Sequence, residues 1–175
     1  MDEKNKIKFI IIGDEKTGKT LFSQSLIDGI NNCDFENYNL TIGTSFARKD
    51  YKYNNKLYTI ELWDTAGQQR FTAILQIYIQ NGDIIFTFFD YNNKKSFERA
   101  KELLNLAKNC TKKKNAIYIL IGNKYHLNKN SIFTSDNIVN EDEILEYVDE
   151  NNLIYAHLSI LETYSTGVNF FLFYI

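Results

Sequence analysis

Gly13-Asp14-Glu15-Lys16-Thr17-Gly18-Lys19-Thr20 is the stretch on which the reading of this chain turns. It has the form G-x-x-x-x-G-K-[ST], and its setting matters as much as its letters. Before it lies Lys6 to Ile12 (KIKFIII), a β-branched and aromatic run suited to a strand. After it, from Lys19 to Ile30, the apolar residues Leu21, Phe22, Leu26, Ile27 and Ile30 fall at helical spacing. A strand, a glycine-flanked loop and a helix in that order ring a phosphate with backbone N–H groups at the positive end of the helix. Lys19 supplies a cation for the outer phosphates, and the Thr20 hydroxyl suits Mg²⁺. The alternative is a glycine-containing turn that matches by chance, and the strand–loop–helix context weighs against it.

Working outward, Ser45 to Tyr53 and Lys56 to Trp63 read as two strands joined by a turn at Asn54-Asn55. Asp83 to Phe89 (DIIFTFF) and Ala116 to Ile121 (AIYILI) are nearly continuous apolar runs, as parallel strands covered on both faces require. Between them Phe97, Ala100, Leu103, Leu104 and Ala107 make a helical stripe over Ser96 to Asn109. Asn140 to Glu150 opens with a cap-forming Asn and with acids that suit a helix N-terminus, and a last strand is expected over Leu153 to Leu158. Strands alternating with helices predict an α/β fold: a three-layer, mostly parallel six-stranded sheet with one antiparallel strand pair. Ligands of such sheets bind at the carboxyl ends of the strands, where the phosphate loop falls.

A second motif, Leu62-Trp63-Asp64-Thr65-Ala66-Gly67-Gln68-Gln69-Arg70-Phe71, follows the third of these strands. An Asp at a strand end beside a phosphate loop is placed to hold Mg²⁺ through water. The Gly after it offers an N–H to a terminal phosphate, and the Gln after that can orient an attacking water. Composition agrees with one soluble domain: 175 residues, 44% hydrophobic and 24% charged, enough to bury a core. A net charge of −2 gives no broad attraction to nucleic acid or anionic lipid, and Lys112-Lys113-Lys114 reads as a solvated helix end. Cys33 and Cys110 have no metal or redox spacing, which suits free thiols in a reducing compartment. The charged start is unlike a signal peptide, and no stretch approaches the ~20 apolar residues of a membrane span.

With these motifs in order, the chain resembles the Ras-superfamily small GTPases, which have a P-loop NTPase (small G-domain) architecture. The WDTAGQ-R-F form, with Thr41-Ile42-Gly43 and Phe46, is similar to the Rab branch. The resemblance implies a single G-domain over residues 1–175 acting as a GTP/GDP switch, Rab-like in vesicle trafficking, with Mg²⁺ as cofactor. It implies that Thr20, Thr41 and Asp64 hold the metal and that Gln68, Lys19 and Thr41 carry hydrolysis. Nucleotide would meet Glu15, Lys16, Thr17, Gly18, Lys19, Thr20 and Leu21 of the loop and helix, then Thr41, Asp64 and Gly67. Asn123-Lys124-Tyr125-His126 stands where the family recognises the base. Effectors and regulators would meet segments around Thr41–Phe46 and Trp63–Tyr78. Phe46, Trp63 and Tyr78 are candidates for that surface, and each taken singly is also compatible with core packing. A cytoplasmic protein is implied, at the cytosolic face of endomembranes where a lipidated tail or partner supplies the anchor.

Three departures shape the expectation. His126 replaces an Asp that would accept two hydrogen bonds from guanine, whereas a neutral imidazole accepts one, so affinity and selectivity for guanine should fall. Glu15 replaces a small residue: a carboxylate near Gln68 either crowds the attacking water and slows hydrolysis, or swings into solvent with little effect. Between the phosphate loop and Thr41 the chain is a few residues longer than usual, near Gly29 to Asp34. At the other end, Glu162 to Asn169 resembles the last guanine loop imperfectly, and Phe170 to Ile175 leaves the last helix truncated, without a cysteine to lipidate. A bare sheet face is the expected cost. These departures keep open a second function, a degenerate non-hydrolysing binding module or scaffold. An ATPase or kinase is less compatible with the Asp64 and Asn123 motifs.

Overall fold

The structure, a computed structural model, describes residues 5–29, 41–68, 72–123 and 137–158. In chain order these form β1 (Lys6–Gly13), α1 (Lys19–Asp28), β2 (Thr44–Tyr53), β3 (Lys56–Thr65), α2 (Thr72–Ile79), β4 (Ile84–Asp90), α3 (Lys94–Cys110), β5 (Ile117–Asn123), α4 (Glu141–Asn151) and β6 (Ile154–Leu158). The strands make one six-stranded sheet in the order β2-β3-β1-β4-β5-β6. Only β2 and β3 pair antiparallel; every other neighbouring pair is parallel. The expected α/β architecture, with its single antiparallel pair, is therefore the observed one.

Strand alternation sorts the core into two faces. Phe9 and Ile11 of β1, Phe86 and Phe88 of β4 and Ile121 of β5 turn toward Leu21 and Phe22 of α1. Their rings lock at that contact, Phe22 lying 5.0 Å from Phe88 and 5.4 Å from Phe86 between centroids. On the opposite face, Ile10, Ile12 and Ile85 meet Leu75 and Ile79 of α2 and Leu103 and Ala107 of α3. Further along that face Phe89 and Leu120 meet Phe97 and Leu104 of α3 and Ile144 and Val148 of α4. Helices on both faces explain why β4 is a continuous apolar run.

Local signals explain most boundaries. Asn54 and Asn55 both take positive φ, 46° and 60°, the geometry of a tight hairpin turn that Asn tolerates. The Asn140 side chain accepts from the Asp142 amide at 3.0 Å, so α4 begins just after it. The Asn93 side chain accepts from the Ser96 amide, starting α3 at Lys94, two residues earlier than the apolar stripe shows. Helix α2 is an addition. Its TAILQIYI is short and rich in β-branched residues, so its period is legible only once Leu75 and Ile79 are seen facing the core.

Candidate functional site

The phosphate loop joins β1 to α1 at the carboxyl edge of the sheet. Gly18 stands at the N-cap of α1 with φ 94°, a left-handed conformation that favours glycine. Lys16 also takes positive φ, 60°, and its side chain is exposed. Leu21 sends its side chain into the core beside Phe22, leaving its main chain as the part that faces a ligand at the helix start.

Lys19 is buried, 5% exposed, and donates to the Asp14 main-chain oxygen at 2.6 Å. Burial pulls its ammonium down to about 8, against the opposing pull of Asp64, Asp14 and Glu15. At neutral pH it therefore stays charged by about ten to one. The Thr17 hydroxyl donates to the same Asp14 oxygen at 2.9 Å, and the Asp14 carboxylate accepts the Glu15 amide at 2.9 Å. Asp14 was absent from the sequence-based site. The signal that finds it is an Asp in a tight loop, whose carboxylate bonds a nearby amide.

Three residues distant in sequence converge next to Lys19. The Thr20 hydroxyl donates to the Asp64 carboxylate at 2.7 Å, and it lies 2.8 Å from the Thr41 hydroxyl. Asp64 is 1% exposed; burial raises its pKa, opposed by the Thr20 hydrogen bond and the charge of Lys19. Its second oxygen, Oδ1, is buried without a hydrogen-bond partner among the described residues. Two hydroxyls and a carboxylate with a free oxygen are hard donors, the set that suits Mg²⁺. The residues present thus fit the metal that the motif implies.

Gly67 closes the site from above. A Cβ added there would lie 2.4 Å from the Glu15 nitrogen and 2.5 Å from the Asp14 carbonyl carbon, so only glycine allows this segment to rest on the loop. A pocket between them is lined by Glu15, Lys19, Thr20, Thr41, Gly67 and Gln68, with Thr65 behind. Glu15 lines this pocket while staying partly exposed, and its charge acts on Lys19. The Gln68 Oε1 is buried without a partner among the described residues. At the other side of the loop, Asn123 at the end of β5 donates to the Thr17 main-chain oxygen at 3.1 Å, and its own Oδ1 has no partner among the described residues. The base motif is thereby tied to the phosphate loop. Its Lys124 and His126, the segment Gln69 to Phe71, the longer loop near Gly29 to Asp34 beyond residue 29, and the chain from Glu162 to Ile175 lie outside the described residues.

A third feature lies at the sheet edge. Phe46 of β2 stacks on Trp63 of β3 at 4.8 Å, and Trp63 on Tyr78 of α2 at 5.0 Å. Phe46 is 51% exposed, while Trp63 and Tyr78 are half-buried against the core under α2. Surface and core packing are both present, in one continuous stack. Ile42, Ile74 and Ile77 are exposed as well. No helix among the described residues is long and apolar enough to cross a membrane.

Comparison with known proteins agrees with this geometry. The sequence profile of the Ras family matches residues 8–172. The chain is 35% identical over 154 residues to the Ras-related protein Rab-1 of Theileria parva, a match covering 87% of this chain and 65% of that one. It is 30% identical over 168 residues to the Ras-related protein RABG3b of Arabidopsis thaliana, covering 94% of this chain and 79% of the relative. Against the Ras-related protein Rab7 of Pisum sativum it is 34% identical over 122 residues, 67% of this chain and 57% of the relative. The match to the Theileria protein therefore spans just under two thirds of that relative's length.

Proposed function

The chain belongs to the Ras family, on the Rab branch of the small GTPases, and from that premise we propose that it is a single G-domain working as a GTP/GDP switch in Rab-like vesicle traffic. The observation that carries the reading is the meeting of Thr20, Thr41 and Asp64 beside Lys19. The start of α1, the segment before β2 and the end of β3 share one part-buried polar cluster. A ligand that engages it orders the segment around Thr41 and the one that follows Asp64, and its loss releases them.

In this reading Lys19 and the loop amides from Glu15 to Leu21 bind the phosphates, and Thr20, Thr41 and Asp64 hold Mg²⁺, which when bound neutralises charge on the phosphate oxygens. The unpartnered Oε1 of Gln68 accepts a hydrogen bond from a water and aims its oxygen at the terminal phosphorus. The water oxygen bonds to phosphorus as the bond to the bridging oxygen breaks, a proton of the water passes to an oxygen of the departing phosphate, and GDP and phosphate result. Asn123 and Lys124 hold the base, with His126 weakening the choice of guanine. The Phe46–Trp63–Tyr78 stack and the exposed Ile42, Ile74 and Ile77 suit effector and regulatory proteins. The place of action is the cytosolic face of endomembranes.

Glu15 favours slow hydrolysis, because it lines the pocket with Gln68 and Lys19 and its charge acts on Lys19. Taken further, the same observation favours a binding module that holds nucleotide without turning it over. Titration with fluorescent GDP, competed by GDP, GTP and ATP in Mg²⁺, tests the switch: guanine-selective binding is expected, and equal competition by ATP overturns it. Single-turnover hydrolysis of bound GTP then separates a slow switch from a module with no turnover.

A further inference from the structure

We infer that Glu15 sets the preference of this site for a guanosine diphosphate over the triphosphate, because it lines the pocket that the third phosphate must approach and its negative charge draws on Lys19. The inference rests on the switch reading and adds to it a choice between the two ligand states. The groups that meet a third phosphate are those of the surface loops, Thr41, Gly67 and Gln68, rather than the helix start. Glu15 lines the pocket together with these three.

Charge counting points the same way. Lys19 is the only cation lining this pocket among the described residues, and Asp64, Asp14 and Glu15 all act on it electrostatically. Lys16, the next cation along the loop, is exposed and does not line the pocket. A diphosphate draws on Lys19 and the helix end. A third phosphate brings further negative charge into a space where one ammonium already faces three carboxylates, and Mg²⁺ held by Thr20, Thr41 and Asp64 offsets that charge in the same way whether residue 15 is Glu or Gln. Packing gives an independent reason. Gly67 lies directly on the Glu15 amide, and that amide is already engaged by the Asp14 carboxylate. A third phosphate has to part Gly67 from the loop and compete for an occupied N–H.

The test is competition against fluorescent GDP by GDP and by a non-hydrolysable GTP analogue, with Mg²⁺, on the full chain and on Glu15→Gln, Glu15→Ser and Glu15→Asp. The unaltered chain is expected to favour the diphosphate by about tenfold or more. Glu15→Gln and Glu15→Ser should each move that ratio toward the triphosphate by about tenfold, equivalent to ~1.4 kcal/mol. Glu15→Asp, which keeps the charge, should retain most of the original preference, and the ratio should narrow at high salt. Tight GDP binding with a ratio that does not respond to removal of the charge overturns this inference and leaves the switch intact. Failure of the unaltered chain to bind GDP overturns both.

Discussion

The two sides of the sheet obey different rules. From β1 through β4 to β5 the strands are buried on both faces, and the carboxyl ends of β1 and β5 deliver Gly13 and Asn123 to the site. The β2–β3 ribbon belongs to the same hydrogen-bonded sheet, yet β2 buries none of its residues fully and carries Phe46 half in solvent. The first region is a rigid platform whose side chains have nowhere else to go. The second is an edge whose apolar groups are satisfied only in part, and such surface invites a partner. One sheet thus combines a close-packed base with a partly exposed edge.

This contrast can be broken first at Phe86, fully buried and edge-on to Phe9 at 5.2 Å. Phe86→Ala should cost about 3–5 kcal/mol in denaturant titration, and a loss below about 1 kcal/mol would show that the platform is not close-packed. The next effect lies with Lys19. Its folded pKa of about 8 is below the unfolded 10.5, so between those values the unfolded chain binds the extra proton and stability rises with pH. From pH 8 to 10 the nucleotide-free protein should gain about 2 kcal/mol, before the raised pKa values of Tyr51, Tyr91, Tyr147 and Tyr155 reverse the trend. Lys19→Met should flatten that rise; an unchanged slope in the variant would assign it elsewhere.

Smaller effects sharpen the comparison. Thr20→Ala removes one hydroxyl from the polar cluster, and the gain in GDP retention that Mg²⁺ confers over EDTA should shrink about tenfold. An undiminished Mg²⁺ effect would place the metal elsewhere. Least of all, Phe46→Ala should change folding stability by under about 1 kcal/mol, because half of its ring is already in water. A loss as large as that at Phe86 would turn the edge into core and remove the argument for a partner surface.

Legibility in the sequence followed the range of the interaction. The phosphate loop, the hairpin at Asn54-Asn55 and the cap at Asn140 are set by residues within a few positions of one another, and they stand where they were expected. Helix α2 was not legible, because eight residues, five of them β-branched or aromatic, carry little helical signal without the surface that Leu75 and Ile79 cover. Nor could Phe46, Trp63 and Tyr78 be assigned singly to surface or core, since their stack joins two strands and a helix.

What the sequence determined by itself was the alternation of strands and helices, the loop that must take left-handed φ near Gly18, and the residue types that suit phosphate and Mg²⁺. Tertiary structure alone decided that Thr20, Thr41 and Asp64, up to 44 positions apart, share one set of hydrogen bonds, and that Glu15 lines the same pocket as Lys19 and Gln68. Backbone conformation answers to neighbours along the chain. The direction of a side chain and the company of a buried charge answer to whichever surfaces the packed sheet brings within a few ångströms.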